Sequence, residues 1–160
     1  DGVYNLSNEG IPNQKMHLVG NTMIDTLVKL EDKFDESIIL NKLNLTKRDY
    51  ILITLHRASN TDDSTELRKI MESFVDISKE TKCVFPIHPR TKTNLIQFNM
   101  YEEYLNVDNL HIIEPLGYID FMCLQKNAKL IVTDSGGIQE ESSFDSVYLH
   151  WINCIHHQLK

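Results

Sequence analysis

The chain has no apolar run near the ~18 residues that a membrane-spanning helix needs, so no span is expected. Cysteine is scarce. Cys83, Cys123 and Cys154 stand far apart, are odd in number and include no Cys-x-x-Cys pair. A disulfide framework is therefore not expected, and the three read as free thiols in a reducing compartment, the cytoplasm. Glycine and proline are also few, 6 and 4 in 160 residues, and the chain has no repeat, low-complexity segment or internal linker. Positive charge is in short supply: 16 Lys and Arg against 23 Asp and Glu, a net charge of −7. That balance argues against nucleic acid or a membrane surface as partner. It leaves a phosphate ligand open, because backbone amides bind one without net charge. No signal-peptide pattern opens the chain, and it starts at Asp1 rather than methionine, so it reads as part of a longer protein.

What is present is an alternation of elements. Hydrophobic residues make up 41% of the chain, enough for one domain with a real core. Met16 to Val19 alternates weakly and predicts a short strand. Gly20-Asn21-Thr22 is a turn with a candidate N-cap, and Met23 to Phe34 carries a helical stripe at Ile24, Leu27, Val28 and Leu30. A short helix is expected over Glu36 to Leu45. Tyr50 to Leu55 is a continuous β-rich run, as in a parallel strand buried on both faces. Asp63-Ser-Thr-Glu66 fits a capping box ahead of Leu67, Ile70, Met71, Phe74 and Val75 at helical spacing. Cys83 to Phe85 and Leu110 to Ile113 predict two more strands. Helices are expected over Thr91 to Tyr104 and Tyr118 to Lys126. Leu130 to Val132 predicts a further strand, followed by a helix from Ile138 to Ser143, and Val147 to Ile152 predicts a last strand. Strand and helix in alternation mean an α/β fold, a Rossmann-like parallel sheet with helices on both faces.

In such sheets ligands lie beyond the carboxyl ends of the strands. Four successive strands here end in polar or turn-forming clusters: His56-Arg57, His88-Pro-Arg90, Glu114-Pro-Leu-Gly117 and Asp134-Ser-Gly-Gly137. The last is a glycine turn opening a helix, where unpaired N–H groups and the positive end of the dipole suit a phosphate. It also fits an ordinary βα turn. His56 reads either as a residue facing an anionic leaving group or as a core-edge histidine, with Arg57 as a neutralising partner. His88, between two prolines, is stiffly held, in a site or at the surface. Phe121 shares its helix with Tyr118 and Leu124, as a core residue does. Of Glu140 and Glu141 only one can face the glycine turn, since neighbours on a helix point ~100° apart. His150, Cys154, His156 and His157 match no zinc spacing, and neither metal nor cofactor is expected.

Gly20-Asn-Thr22, Thr54-Leu-His-Arg57, Pro86-Ile-His-Pro89, Ile113-Glu-Pro-Leu116 and Thr133-Asp-Ser-Gly-Gly-Ile-Gln-Glu-Glu141 occur in that order. The set resembles the non-hydrolysing UDP-N-acetylglucosamine 2-epimerase family from about Leu6 to Ser143. The resemblance implies the C-terminal, nucleotide-binding half of a two-domain glycosyltransferase-B-type fold. Residues 1–160 would then form a single UDP-binding domain, with 1–15 an interdomain linker region, 144–160 an atypical tail and the N-terminal domain absent. It also implies the family's reaction: UDP leaves UDP-GlcNAc to give a glycal and is added back after the C2 proton changes face, giving UDP-ManNAc. By the same resemblance, uracil lies at Phe121, the diphosphate on Ser135, Gly136 and Gly137, and the ribose at Glu141. His56 matches a histidine important for activity, and Arg57 and His88 match contacts to a second, activating UDP-GlcNAc. The family works as homodimers and needs no cofactor. Its proton-transferring carboxylates belong to the N-terminal domain, so this chain alone is not expected to epimerise.

Two departures stand out. The family's His-Arg-x-Glu-Asn reads His56-Arg-Ala-Ser-Asn60 here, with serine for glutamate. After Ser143 the expected Gly-Pro turn and arginines do not follow. Two other readings remain: another UDP-sugar enzyme of the same fold (a hydrolysing epimerase or glycosyltransferase), or a degenerate, non-catalytic UDP-binding module.

Overall fold

Apolar β-branched runs that must bury both faces set the frame of the computed structural model. It describes residues 2–138 and the backbone of residues 148–151. Five parallel strands form one sheet in the order β3-β2-β1-β4-β5. They are β1 (Ile51–Thr54), β2 (Cys83–Pro86), β3 (Leu110–Ile113), β4 (Leu130–Thr133) and β5 (Tyr148–Trp151). β1 lies at the centre, with Ile51 opposite Cys83 on one side and Leu130 on the other.

Side chains alternate across the sheet, so each strand feeds two cores. Ile51, Ile53, Cys83, Phe85 and Val132 pack on one face against Leu67, Ile70, Met71 and Phe74. Those four lie on helix α5 (Ser64–Ser78), which starts where Asp63 accepts from the N–H groups of Thr65 and Glu66. Helices α6 (Pro89–Gln97) and α7 (Tyr101–Leu105) complete that face through Leu95 and Tyr104. On the other face Tyr50, Leu52, Val84 and Ile131 meet Cys123 and Leu124 of α8 (Tyr118–Asn127) and Ile39 of α3 (Ile39–Lys42). Helix α2 (Thr22–Asp35), capped by Asn21, lies outside α8 and packs Leu27 and Phe34 on Met122. An α/β sheet with helices on both faces is thus what the alternation of elements predicted.

Three sequence expectations differ. Met16 to Val19 is not a strand. Leu18 is 88% exposed and Val19 67%, and a lone alternating run has no ladder to join. The helix expected over Thr91 to Tyr104 is two, because Asn99 takes the left-handed conformation at φ 56° and ends the first turn run. The helix expected over Glu36 to Leu45 shrinks to the four residues of α3, closed by Asn44 at φ 50°. Near the chain start, α1 (Gly2–Asn8) buries none of its residues and gives way to Gly10 at φ 80°. Of the helix expected over Ile138 to Ser143, only Ile138 falls within the described residues; it is helical, as are residues 136 and 137 before it. Among the described residues, no helix is long and apolar enough to cross a membrane.

Both described thiols, Cys83 and Cys123, are buried. Burial pushes the Cys83 thiol up to about 11. Its folded value is raised, so the stability it contributes is full below its ordinary value near 9 and falls as pH rises toward 11. We expect a loss of about 1.5–2 kcal/mol through this thiol between pH 8.5 and 10.5, most of it at ~1.36 kcal/mol per pH unit. Urea melts at pH 8.5 and 10.5, compared with Cys83→Ala, measure it; equal slopes for both proteins would contradict it.

Candidate functional site

The strand order reverses direction between β1 and β4, and the crevice beyond their carboxyl ends is where such a sheet exposes backbone to a ligand. A cleft of about 260 Å³ opens there. Its walls are the ends of β1 (Thr54, Leu55, His56) and β2 (Pro86 to Pro89), the turn Pro115-Leu116, Phe121 of α8, and Ser135 and Ile138 after β4. The strand-end clusters read from the sequence therefore do converge.

Asp134 organises the floor. It is fully buried, yet it is a carboxylate. Such a group stays in a core only when its oxygens are hydrogen-bonded. The His56 backbone N–H donates to both oxygens, at 3.2 and 3.1 Å. The Arg57 N–H donates at 2.8 Å and the Asn60 side-chain amide at 3.0 Å. His56 Nδ1 lies 2.6 Å from Asp134 Oδ1. One acidic residue thus ties the end of β1, the short helix α4 (Ala58–Thr61) and the glycine turn together. Beside it the Thr54 and Thr133 hydroxyls meet at 2.6 Å, and the Ser135 N–H donates to Thr133 Oγ1 at 2.9 Å. The Ser135 N–H is therefore not one of the unpaired donors that the glycine turn was expected to offer. Those that remain belong to Gly136, Gly137 and Ile138, the first residues of a helix.

A second set of bonds fixes the β2 side. The buried Thr91 hydroxyl donates to the Leu55 carbonyl at 2.5 Å, anchoring α6 to the end of β1. Arg90 grips Asp62 through Nε at 2.9 Å and Nη2 at 2.5 Å, and holds that carboxyl below its ordinary value. Asn94 donates to the Thr61 carbonyl at 2.9 Å. His88 then caps α6, its Nδ1 accepting from the Arg90 N–H at 3.2 Å. The His56 and His88 rings stand 5.9 Å apart, tilted at 53°.

Of the residues singled out in the sequence, His56, His88, Phe121 and Ser135 come together in the cleft walls. Phe121 is at once a wall and a half-buried core residue. Gly136 and Gly137 adjoin the cleft through Ser135 and Ile138. A Cβ on Gly136 would meet nothing within 4 Å, and one on Gly137 would come 3.2 Å from the end of Met23. Fold packing therefore does not require glycine at 136. The Arg57 side chain is exposed and outside the cleft walls, while its N–H serves Asp134. Glu141 lies outside the described residues, as do the side chain of His150 and residues 152–160. Among the described residues, no group of three His, Cys, Asp or Glu is placed to hold a metal ion.

Sequence reasoning missed Asp134 and Asn60 as structural hubs. The signal was in hand, since both sit in the motifs quoted, but their partnership spans 74 residues. The serine in His56-Arg-Ala-Ser-Asn60 falls at an exposed position, whereas the asparagine that grips Asp134 is present.

Residues 2–152 match the family model described as UDP-N-acetylglucosamine 2-epimerase. The chain belongs to the UDP-N-acetylglucosamine 2-epimerase family. The match runs past Ser143, where the motif resemblance was expected to stop. A UDP-N-acetylglucosamine 2-epimerase of Methanococcus maripaludis is 44% identical over 144 residues, 86% of this chain and 39% of the relative. One from Methanocaldococcus jannaschii is 41% identical over 143 residues, again 86% of this chain and 39% of the relative. The crystal structure of the M. jannaschii enzyme in complex with UDP-GlcNAc and UDP superposes with a TM-score of 0.80 at 39% identity, over 93% of this chain and 42% of that one. The chain thus spans about two fifths of the length of the epimerases it matches.

Proposed function

We propose that this chain is the nucleotide-binding part of a UDP-N-acetylglucosamine 2-epimerase, and that its cleft holds the UDP moiety. The observation that carries the reading is the meeting of the glycine turn, His56 and Phe121 at the one place where the sheet's strand order reverses. In this reading the diphosphate lies on Ser135, Gly136 and Gly137, with uracil by Phe121 and ribose by Glu141. Helix-start N–H groups suit the phosphates, and the apolar Leu116–Phe121 side suits a base. His56 faces the leaving diphosphate, while Arg57 and His88 stand toward a second, activating sugar nucleotide.

The full reaction interconverts UDP-GlcNAc and UDP-ManNAc, and it needs a base and an acid at C2 of the sugar within hydrogen-bond reach. Among the described cleft walls there is no carboxylate. We assign those groups to the rest of the longer protein. The exposed apolar residues Val3, Leu6, Ile11, Leu18 and Val19 are then candidates for contact with it.

Calorimetry with UDP and uridine tests the site. UDP is expected to bind this chain at least ~10-fold more tightly than uridine, about 1.4 kcal/mol. Equal affinities would remove the diphosphate from the glycine turn. Incubated with UDP-GlcNAc, the chain alone is expected to release no UDP-ManNAc, whereas the longer protein does. Free UDP and ManNAc from the longer protein would point to a hydrolase instead.

A further inference from the structure

We propose that Asp134 is a positioning residue for His56, and that the cleft's two histidines are held as opposite tautomers. The His56 N–H reaches both Asp134 oxygens, and the Arg57 N–H and the Asn60 amide reach Oδ2; an ionised carboxylate held by these donors only accepts, at Oδ1 as at Oδ2. The fourth neighbour, His56 Nδ1 at 2.6 Å, must therefore carry its hydrogen. In the neutral ring that leaves Nε2 with a lone pair.

His88 is bound the other way. Its Nδ1 accepts the Arg90 backbone N–H at 3.2 Å, so in the neutral ring the hydrogen sits on Nε2. Two rings 5.9 Å apart thus present unlike groups, a lone pair from His56 and an N–H from His88. Each assignment is enforced by a partner built into the fold: a fully buried carboxylate for one, the first turn of α6 for the other. A second ligand group can then be told apart from a first. In the neutral rings His88 donates to an anionic oxygen and His56 accepts from a hydroxyl, so His56 faces the leaving diphosphate only with a proton shared between its Nε2 and a phosphate oxygen. This deepens the nucleotide reading and rests on it only for what occupies the cleft.

Long-range ¹H–¹⁵N spectra of the histidine rings test the proposal on the unliganded chain, at a pH where both rings are neutral. His56→Gln and His88→Gln identify the signals. His56 is expected to show the Nδ1–H form and His88 the Nε2–H form. Asp134→Asn offers Nδ1 an amide donor in place of an acceptor, and is expected to switch His56 to the Nε2–H form, as happens when the triad aspartate of a serine protease is replaced by asparagine. His88 should stay as it was. A wild-type His56 in the Nε2–H form overturns the proposal, whether or not the variant folds. So does a folded Asp134→Asn protein with His56 unchanged. UDP is added last, and a shift at His56 Nε2 is expected. Both tautomers as stated with no response to UDP would overturn the nucleotide reading and not this one.

Discussion

Asp134→Ala is expected to lower the folding free energy by about 3–5 kcal/mol, the range for breaking a buried charged network on one side. The reason is what the truncation leaves behind. Asp134 is fully buried and receives the N–H groups of His56 and Arg57, the Asn60 amide and the His56 ring. Alanine leaves those donors without their acceptor, the Asn60 amide in a buried place, at about 1–3 kcal/mol for each buried group left unsatisfied. Domains of this size hold only about 5–15 kcal/mol in total, so the variant stands near the edge of folding. With a urea dependence of ~2 kcal/mol per molar, the midpoint should fall by about 1.5–2.5 M. Asp134→Asn keeps one acceptor and should lose roughly half as much. A midpoint within ~0.3 M of the parent protein, at unchanged slope, would mean that the contacts around Asp134 contribute nothing net.

That residue also marks where the sequence could and could not be read. The strands were legible because fully buried parallel strands must be continuous apolar runs, and Tyr50 to Leu55 and Leu130 to Thr133 are such runs. The start of α5 was legible because a cap is local: Asp63 binds N–H groups two and three residues away. The convergence of strand-end clusters followed from topology alone. What was not legible is whatever depends on distant partners or on one backbone angle. The bond from Asn60 to Asp134 crosses the centre of the sheet, and no spacing rule announces it. Asn99 breaks the expected long helix through a left-handed φ that other residue types adopt reluctantly but asparagine tolerates. Met16 to Val19 has the pattern of a strand without a neighbour to pair with, and a pattern alone does not supply one.

Ser135→Asp is expected to cost at least ~100-fold in UDP affinity, about 2.7 kcal/mol, with no loss of folding stability. The two halves of that expectation have separate causes. Ser135 precedes the helical residues 136–138 and lines the cleft. Aspartate is as good as serine at the start of a helix, and its charge suits the positive end of the dipole. The fold therefore accepts it. The same charge stands where a diphosphate should lie, and two unit charges ~4 Å apart repel by about 4 kcal/mol at a surface-like dielectric of ~20. The carboxylate also takes up the helix-start N–H groups that would otherwise hold phosphate oxygens. Gly136→Ala separates charge from shape at the neighbouring position. Its Cβ would touch nothing in the protein within 4 Å, and alanine is the better helix former by about 1 kcal/mol. Stability should hold or rise slightly, while a methyl group between backbone and ligand should weaken UDP about 10-fold. A glycine kept for folding gives the opposite pattern, a less stable protein with unchanged affinity. Urea melts and UDP titrations of the two variants together therefore decide what the turn is for. If neither variant alters UDP affinity, the diphosphate does not lie on Ser135 and Gly136, and the site must be sought elsewhere along the strand ends.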